Sequence, residues 1–174
     1  MISYNVYTHN YMSQESVFHG SPELFDDAVA NPRRNIRTAG EEVIFNEESF
    51  HATPHKWIAL AYTYQPKQIN GGGVYKMAVD LYSDNKEVVI FGVGTLNESL
   101  EVLYGDGGYL YHFDSDNFIY KEGLGSQEVI TTEPTAPIAV EKIDDPIEAM
   151  RELGVTFKFI DLSLPENARY VSET

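Results

Sequence analysis

Ser16-Val17-Phe18-His19-Gly20-Ser21 is a short apolar run that stops at Pro22, and it is the most informative part of the sequence. A run of this length that is ended by a proline predicts a β-strand over Ser16–Ser21. Gly20 has no side chain, so at a strand end it lets a small ligand approach the backbone closely. The imidazole of His19 beside it can hydrogen-bond a hydroxyl or carry a proton near neutral pH. We therefore predict a functional site at the end of this strand.

A second apolar run, Ser49-Phe50-His51-Ala52-Thr53, leads directly into a segment with helical spacing. Residues 50–52 are predicted to form a short strand. Thr53 is suited to cap a helix because its side chain carries an oxygen, and Pro54 is suited to the first helical position because that position needs no N–H. The sequence therefore predicts a helix over 54–64.

The rest of the chain alternates between β-branched or aromatic runs and turn residues. The further predicted strands are 74–81, 87–93, 109–113, 127–131, 137–141 and 155–160. A second helix is predicted over 146–154, because Asp145 and Glu148 form an N-terminal signature. Residues 99–103 fit a helix or a strand, and residues 22–48 are predicted to form a long loop. Many short strands with two helices predict an α+β fold of antiparallel sheets with a few packed helices.

The length and composition of the chain limit the classes of protein it can belong to. Its 174 residues suit one domain, predicted over 1–164, with a C-terminal tail at 165–174. The absence of cysteine excludes disulfides, thiol catalysis and cysteine-ligated zinc. No stretch approaches the roughly 18 apolar residues of a membrane span, and residues 1–6 lack the features of a signal peptide. We predict a soluble cytoplasmic protein with no membrane partner.

The chain is strongly acidic, with 27 acidic residues, 12 basic residues and a formal net charge of −15. Such a field repels nucleic acid in general. Arg33, Arg34 and Arg37 form the only basic cluster. A solvated loop is the favoured interpretation of such a cluster. The alternative is an anion contact, because guanidinium groups pair well with phosphates, and it makes Arg33 and Arg37 candidate ligand contacts.

Three segments carry a family resemblance. Residues 18–21, Phe-His-Gly-Ser, are similar to a first-strand motif that reads HGS or HGT. Residues 50–53, with the alanine-rich segment that ends at Tyr62, are similar to a second motif. Residues 126–130 are similar to a late strand that begins with a glutamate. Together they resemble the ADP-ribosyltransferase-like superfamily, in the His-Tyr-Glu branch of poly-ADP-ribose polymerases and diphtheria-toxin-like enzymes. The resemblance covers most of 16–140 and implies split antiparallel sheets with NAD as substrate.

The resemblance implies a role for each matching residue. His19 would hydrogen-bond the adenosine ribose of NAD, and Gly20 would offer its N–H and C=O to the nicotinamide carboxamide. Phe50 and Tyr62 would stack on the nicotinamide ring. Glu128 would hold the nicotinamide ribose and stabilise positive charge as the glycosidic bond breaks. The candidate NAD contacts are His19, Gly20, Ser21, Arg33, Arg37, Phe50 and Tyr62, and the candidate catalytic residues are His19 and Glu128.

Several points stay open at the level of sequence. Glu122 and Glu133 lie close to Glu128 and are alternatives for the catalytic glutamate. The family tyrosine of the second motif is Phe50 here, which keeps the ring and loses the hydroxyl. The acceptor of the ADP-ribosyl group is a protein, a nucleic acid, a small molecule or, for NAD hydrolysis, water.

Two other functions compete with the NAD-dependent transferase. The first is an acidic, non-catalytic binding protein on the same scaffold, which would engage a basic partner. The second is a two-histidine phosphodiesterase, because His19 and His51 both stand in a His-x-Ser/Thr pattern and could act as acid and base. By default His51 is interpreted as a structural residue of a buried strand. No metal site is predicted, because the histidines do not share a helix face.

Overall fold

The computed structural model describes residues 16–25, 29–69 and 73–170. Within them lie ten strands and three α-helices, which make a mixed α+β fold dominated by antiparallel sheets. The strands are β1 (Ser16–Ser21), β2 (Arg33–Ala39), β3 (Glu42–Ala52), β4 (Lys67–Gln68), β5 (Val74–Val79), β6 (Glu87–Gly92), β7 (Gly108–Asp114), β8 (Val129–Thr131), β9 (Ala139–Ile143) and β10 (Thr156–Asp161). The helices are α1 (Lys56–Ala61), α2 (Leu96–Tyr104) and α3 (Pro146–Glu152).

The strands form three sheets. The first has the order β1-β7-β9, the second β10-β6-β5-β4 and the third β2-β3-β8. All pairs are antiparallel except β10 with β6, which run parallel. An isolated bridge between Phe18 and Thr53 joins the edge of the first sheet to the end of β3. Among the described residues, this bridge is the one place where backbone pairing joins the two sheets.

The predicted loop over 22–48 is wrong, because most of it forms the antiparallel hairpin of β2 and β3. The sequence of β2, Arg-Arg-Asn-Ile-Arg-Thr-Ala, has no alternation of apolar and polar residues, since both of its faces are polar or exposed. Gly40 turns the hairpin with a φ of 64°, a left-handed conformation that glycine adopts without strain.

Helix α1 starts later than predicted. Its N-cap is His55, whose side chain makes no capping hydrogen bond, and its first residue is Lys56. Thr53 does not cap the helix because its backbone is held by Phe18 in the bridge between the sheets. Its hydroxyl instead accepts a hydrogen bond from the N–H of His55 at 3.1 Å and fixes the turn into α1.

The largest buried cluster lies where α1, α2 and α3 pack on the second sheet. It includes Trp57, Ile58, Leu60, Val88, Ile90, Leu100, Leu103, Tyr104, Leu110 and Met150. The hydroxyl of Tyr104 donates to the carbonyl of Ala61 at 2.9 Å and ties α2 to the end of α1. A second cluster of mainly aromatic residues fills the space between the first and third sheets. These two clusters fix the positions of β1, β3 and α1 relative to one another.

The structure describes the two ends of the chain only in part. Residues 1–15, which include the segment 1–6 considered for a signal peptide, lie outside the described residues. Residues 165–170, inside the predicted C-terminal tail, form a 3-10 helix whose Tyr170 ring contacts Phe91 at 5.4 Å. The division of the chain at residue 164 stays a prediction.

Candidate functional site

A cavity of about 660 Å³ opens where β1, the β2–β3 hairpin and α1 meet, a size in the ordinary range for small-molecule sites. Every residue that the sequence predicted for the site lines this cavity. They are His19, Gly20, Ser21, Arg33, Arg37, Phe50, Tyr62 and Glu128. These residues come from separate segments of the chain, so only the tertiary fold brings them together.

The cavity exists because β1 and β3 separate just after they touch. Phe18 and Thr53 exchange two backbone hydrogen bonds of 2.8 and 2.9 Å. Backbone groups alternate in direction along a strand, so the N–H and C=O of Gly20, two residues on, face the same edge as those of Phe18. Among the described residues none bonds to them at this edge. A donor and an acceptor of a buried residue are therefore available to a ligand.

Gly20 also lets α1 pack closely on β1. A Cβ built at Gly20 would lie 1.7 Å from the carbonyl oxygen of Ala59. No side chain fits in that space, so the packing of α1 requires glycine at this position. The same lack of a side chain leaves the backbone of Gly20 open to a ligand.

His19 is held in one orientation and in one protonation state. Its Nδ1 lies 2.8 Å from the carbonyl oxygen of His51. Because a carbonyl only accepts, Nδ1 carries the proton and Nε2 is left as an acceptor. Burial lowers the pKa of His19 to about 4, although the bond to His51 opposes that shift. His19 is therefore neutral near pH 7, where it can accept a hydrogen bond from a hydroxyl but has no second proton to give.

An aromatic wall flanks His19. The ring of Phe50 lies 4.6 Å from the imidazole of His19 and 5.2 Å from the buried ring of Phe113. The rings of Phe25 and Tyr111 stack at 3.9 Å, and the hydroxyl of Tyr111 accepts a hydrogen bond from the N–H of Phe25 at 2.7 Å. The wall is fixed by these contacts, and it offers an apolar surface to one side of the cavity.

Glu128 is a buried carboxylate with three hydrogen-bond donors around it. Its Oε1 accepts from Nη2 of Arg37 at 2.6 Å and lies 3.3 Å from Nδ1 of His51. Its Oε2 accepts from the N–H of Gly125 at 3.3 Å. Burial raises the pKa of Glu128, but the bonds from His51 and Gly125 and the charge of Arg37 outweigh burial and hold it below its ordinary value. The carboxylate is ionised at neutral pH, and Oε2 retains a lone pair for one further donor.

Glu128 is the only one of the three candidate glutamates that lines the cavity in the described part of the chain. Glu122 and Glu133 are both exposed. Glu122 contributes instead to a shallow depression beside the tip of the hairpin. The side chain of Tyr62 lies near Glu128, and burial together with that carboxylate raises the pKa of Tyr62.

The basic cluster lies on β2 and not in a loop. Arg33 and Arg37 line the cavity, whereas Arg34 between them does not, as expected from the alternation of side chains along a strand. Arg37 pairs with Glu128. The guanidinium of Arg33 has no hydrogen-bond partner among the described residues. Within the described part of the chain, the site therefore presents one cation, Arg33, that no carboxylate neutralises.

The sequence interpretation underrated one functional candidate and missed another. His51 was interpreted as structural by default and as catalytic only in the phosphodiesterase alternative, yet its ring lines the cavity and lies between Glu128 and Ser49. Ser49 was not considered. Its Oγ lies 3.0 Å from Nε2 of His51 and 3.3 Å from Nδ2 of Asn35. The available signal was the two-residue spacing of Ser49 and His51, which puts both side chains on one face of a strand.

Comparisons with known proteins found no relative of the chain. No protein-family model matches the chain, and neither do curated proteins or solved structures. None of the described helices is long and apolar enough to cross a membrane. Nor does the described part of the chain contain a cluster of three or more side chains that could hold a metal ion.

Proposed function

We propose that the chain is an ADP-ribosyltransferase-like protein that binds NAD in the cavity and breaks its nicotinamide–ribose bond. The observation that carries this proposal is the convergence of the three resembling segments on one cavity. His19 and Glu128 are 109 positions apart in sequence, and His51 links them through hydrogen bonds of 2.8 and 3.3 Å. The split between β1 and β3 supports the same relationship, because the resemblance implies separated sheets.

The nicotinamide, the pyrophosphate and a ribose hydroxyl of NAD each have a chemically suitable partner in the cavity. The carboxamide of nicotinamide needs a donor and an acceptor side by side, which the free backbone edge of Gly20 supplies. The aromatic wall and Tyr62 offer faces for a flat ring. Arg33 offers a guanidinium to the pyrophosphate. Nε2 of His19 offers an acceptor to a ribose hydroxyl.

Glu128 carries the chemistry in this proposal. The glycosidic bond breaks through an oxocarbenium-like state, in which positive charge develops on the ribose. An ionised carboxylate in a partly dry cavity stabilises that charge more than water does. The free lone pair of Oε2 accepts a hydrogen bond from a ribose hydroxyl and brings the sugar to the carboxylate.

The two-histidine phosphodiesterase is not supported by the site. That mechanism needs one imidazole as acid and one as base. Burial keeps His19 neutral at physiological pH, and its one N–H is bound to the carbonyl of His51. The alternative is the acidic, non-catalytic binding protein on the same scaffold, which would engage a basic partner.

The proposal predicts that millimolar NAD raises the melting temperature of the protein and that nicotinamide is released over time. A ligand present at 100 times its Kd stabilises the folded state by about 2.7 kcal/mol. Arg33→Ala should reduce the NAD-induced shift at least several-fold, because it removes the cation proposed for the pyrophosphate. Differential scanning fluorimetry measures the shift, and chromatography measures nicotinamide.

Arg34→Ala is the matched control, because it removes a guanidinium from the same strand outside the cavity. Its NAD-induced shift should equal that of the wild type. Glu128→Gln should bind NAD and release no nicotinamide. A wild-type melting curve that does not move at millimolar NAD contradicts the proposal. Binding without nicotinamide release in the wild type supports the binding-protein alternative.

A further inference from the structure

Ser49, His51 and Glu128 are connected in the order that activates a serine. Oγ of Ser49 lies 3.0 Å from Nε2 of His51, and Nδ1 of His51 lies 3.3 Å from Oε1 of Glu128. Serine at one ring nitrogen and carboxylate at the other is the arrangement in which histidine removes a proton from a hydroxyl. All three side chains line the same cavity.

The neighbouring hydrogen bonds decide which atoms carry the protons. Glu128 is ionised and only accepts, so Nδ1 of His51 donates to it. The other ring nitrogen of His51, Nε2, is then the one that can accept a hydrogen bond. Nδ2 of Asn35 donates to the carbonyl oxygens of Arg33 and Ser49, each at 2.8 Å, and lies 3.3 Å from Oγ of Ser49. Among the described residues, Nε2 of His51 is the acceptor within hydrogen-bond distance of the Ser49 hydroxyl, so the Ser49 hydrogen is directed to His51. Proton transfer along this chain of bonds therefore runs from Ser49 to His51.

Ser49 is well placed to react with a ligand that fills the cavity but not with bulk solvent. The residue is 2% exposed, yet it belongs to the cavity lining. It stands opposite Arg33 in the register of the β2–β3 hairpin, beside the cation that is proposed to hold the pyrophosphate. A nucleophile in this position is accessible to NAD bound in the cavity and is not accessible to another protein.

We propose that Ser49 is the acceptor of the ADP-ribosyl group, so that the protein modifies itself once at this residue. This inference rests on the proposed function, because it assumes NAD as the donor. Ser49 Oγ forms a bond to the anomeric carbon of the nicotinamide ribose and loses its proton to Nε2 of His51. The glycosidic bond breaks, and its electron pair leaves with nicotinamide as a neutral molecule. His51 then returns the proton to water, and Glu128 stabilises the imidazolium in between.

The test incubates the full chain with NAD, quenches it in acid and maps the modified residue by tandem mass spectrometry. We expect one ADP-ribosyl group per chain, on Ser49, and a matching single equivalent of released nicotinamide. Ser49→Ala should lose the adduct, and His51→Ala should form it at least 100-fold more slowly. Ser163→Ala is the control that removes an exposed serine outside the cavity, and it should form the adduct at the wild-type rate.

A second readout tests the nucleophile without NAD. A fluorophosphonate probe reacts with activated serines, and we expect it to label Ser49 in the wild type and at least 10-fold less in His51→Ala. Nicotinamide release with no adduct at Ser49 overturns the inference and keeps the proposed function. Probe labelling of Ser49 in a protein that ignores NAD supports the activated serine and refutes NAD as donor. No labelling and no adduct in a folded wild-type protein overturns the inference outright.

Discussion

At the residue scale, Gly20 illustrates how one position can serve packing and, in the proposed function, ligand binding as well. Sequence reasoning assigned its lack of a side chain to ligand approach. The structure adds a second reason, because the space that a side chain would fill holds the Ala59 carbonyl of α1. The packing role and the proposed binding role involve different sides of the strand. The face of the strand at Gly20 touches the helix, whereas its backbone N–H and C=O lie along the strand edge that borders the cavity.

Gly20→Ala should therefore destabilise the fold, whatever it does to binding. The new Cβ would overlap a backbone oxygen of α1, which cannot rotate away as a side chain can. We expect a loss of about 3 kcal/mol in the free energy of unfolding, the upper part of the range for overpacking. Urea denaturation followed by circular dichroism measures it.

Gly40→Ala is the control for replacing a glycine. Its Cβ would meet no atom within 4 Å, but the φ of 64° strains any residue other than glycine. The expected loss is about 1 kcal/mol. Equal losses in the two variants would show that the contact of Gly20 with α1 does not matter for stability.

At the scale of secondary-structure elements, α2 shows a signal that sequence reasoning overlooked. Residues 99–103 were left as helix or strand, and the structure extends a helix over Leu96–Tyr104. Thr95 and Glu98 stand in the Ser/Thr-x-x-Glu pattern of a capping box. In the structure Oγ1 of Thr95 accepts from the N–H of Glu98 at 3.3 Å, and Oε2 of Glu98 accepts from the N–H of Thr95 at 2.9 Å. The pattern identifies where the helix starts.

Thr95→Ala should weaken this helix start by about 1 kcal/mol, the usual cost of losing an N-cap. For a chain of this size that corresponds to a fall of about 2–4 °C in melting temperature. Asn97→Ala changes an exposed residue of the same first turn and should alter stability by less than about 0.5 kcal/mol. Calorimetry on both variants makes the comparison, and equal melting temperatures would contradict the role of the capping box.

At the scale of the whole molecule, His19 links two sheets and makes stability depend on pH. It belongs to β1 of the first sheet, and its Nδ1–H is bound to a carbonyl of β3 in the third sheet. Protonation would put a charge among the aromatic rings of the wall. Burial is the main reason why its pKa falls from 6.5 to about 4 on folding.

The sign of this effect follows from which state binds the proton. Between about pH 4 and 6.5 the unfolded chain protonates His19 and the folded chain does not, so stability rises with pH across this window. Across this window the free energy of unfolding rises by about 3 kcal/mol, and this stabilisation is lost below about pH 4. His19→Asn keeps a donor for the His51 carbonyl and removes the titration.

Denaturation at several pH values should show a smaller rise between pH 4 and 6.5 in His19→Asn than in the wild type. Other groups titrate in acid, among them His55 and Glu128, so the difference between proteins is the quantity to compare. Equal slopes in the two proteins would contradict the lowered pKa of His19.

Much of the fold was accessible from local patterns, and the missed hairpin has a physical cause. The strand at 16–21 and the helix after Asp145 agree with the structure because apolar spacing and an N-cap are local signals. The hairpin of β2 and β3 was missed because polar side chains on β2 line a cavity, where the usual alternation is lost. A functional surface removes the pattern from which a strand is predicted.

By itself the sequence determined the α+β class, most strand positions and the candidate site residues, because these follow from local spacing and from motif resemblance. The tertiary structure alone decided that those residues share one cavity, and that Arg37 and His51 both contact Glu128. It also decided the partners of Ser49 and His51. Contacts between segments tens of residues apart depend on how the sheets pack, and no local pattern encodes that packing.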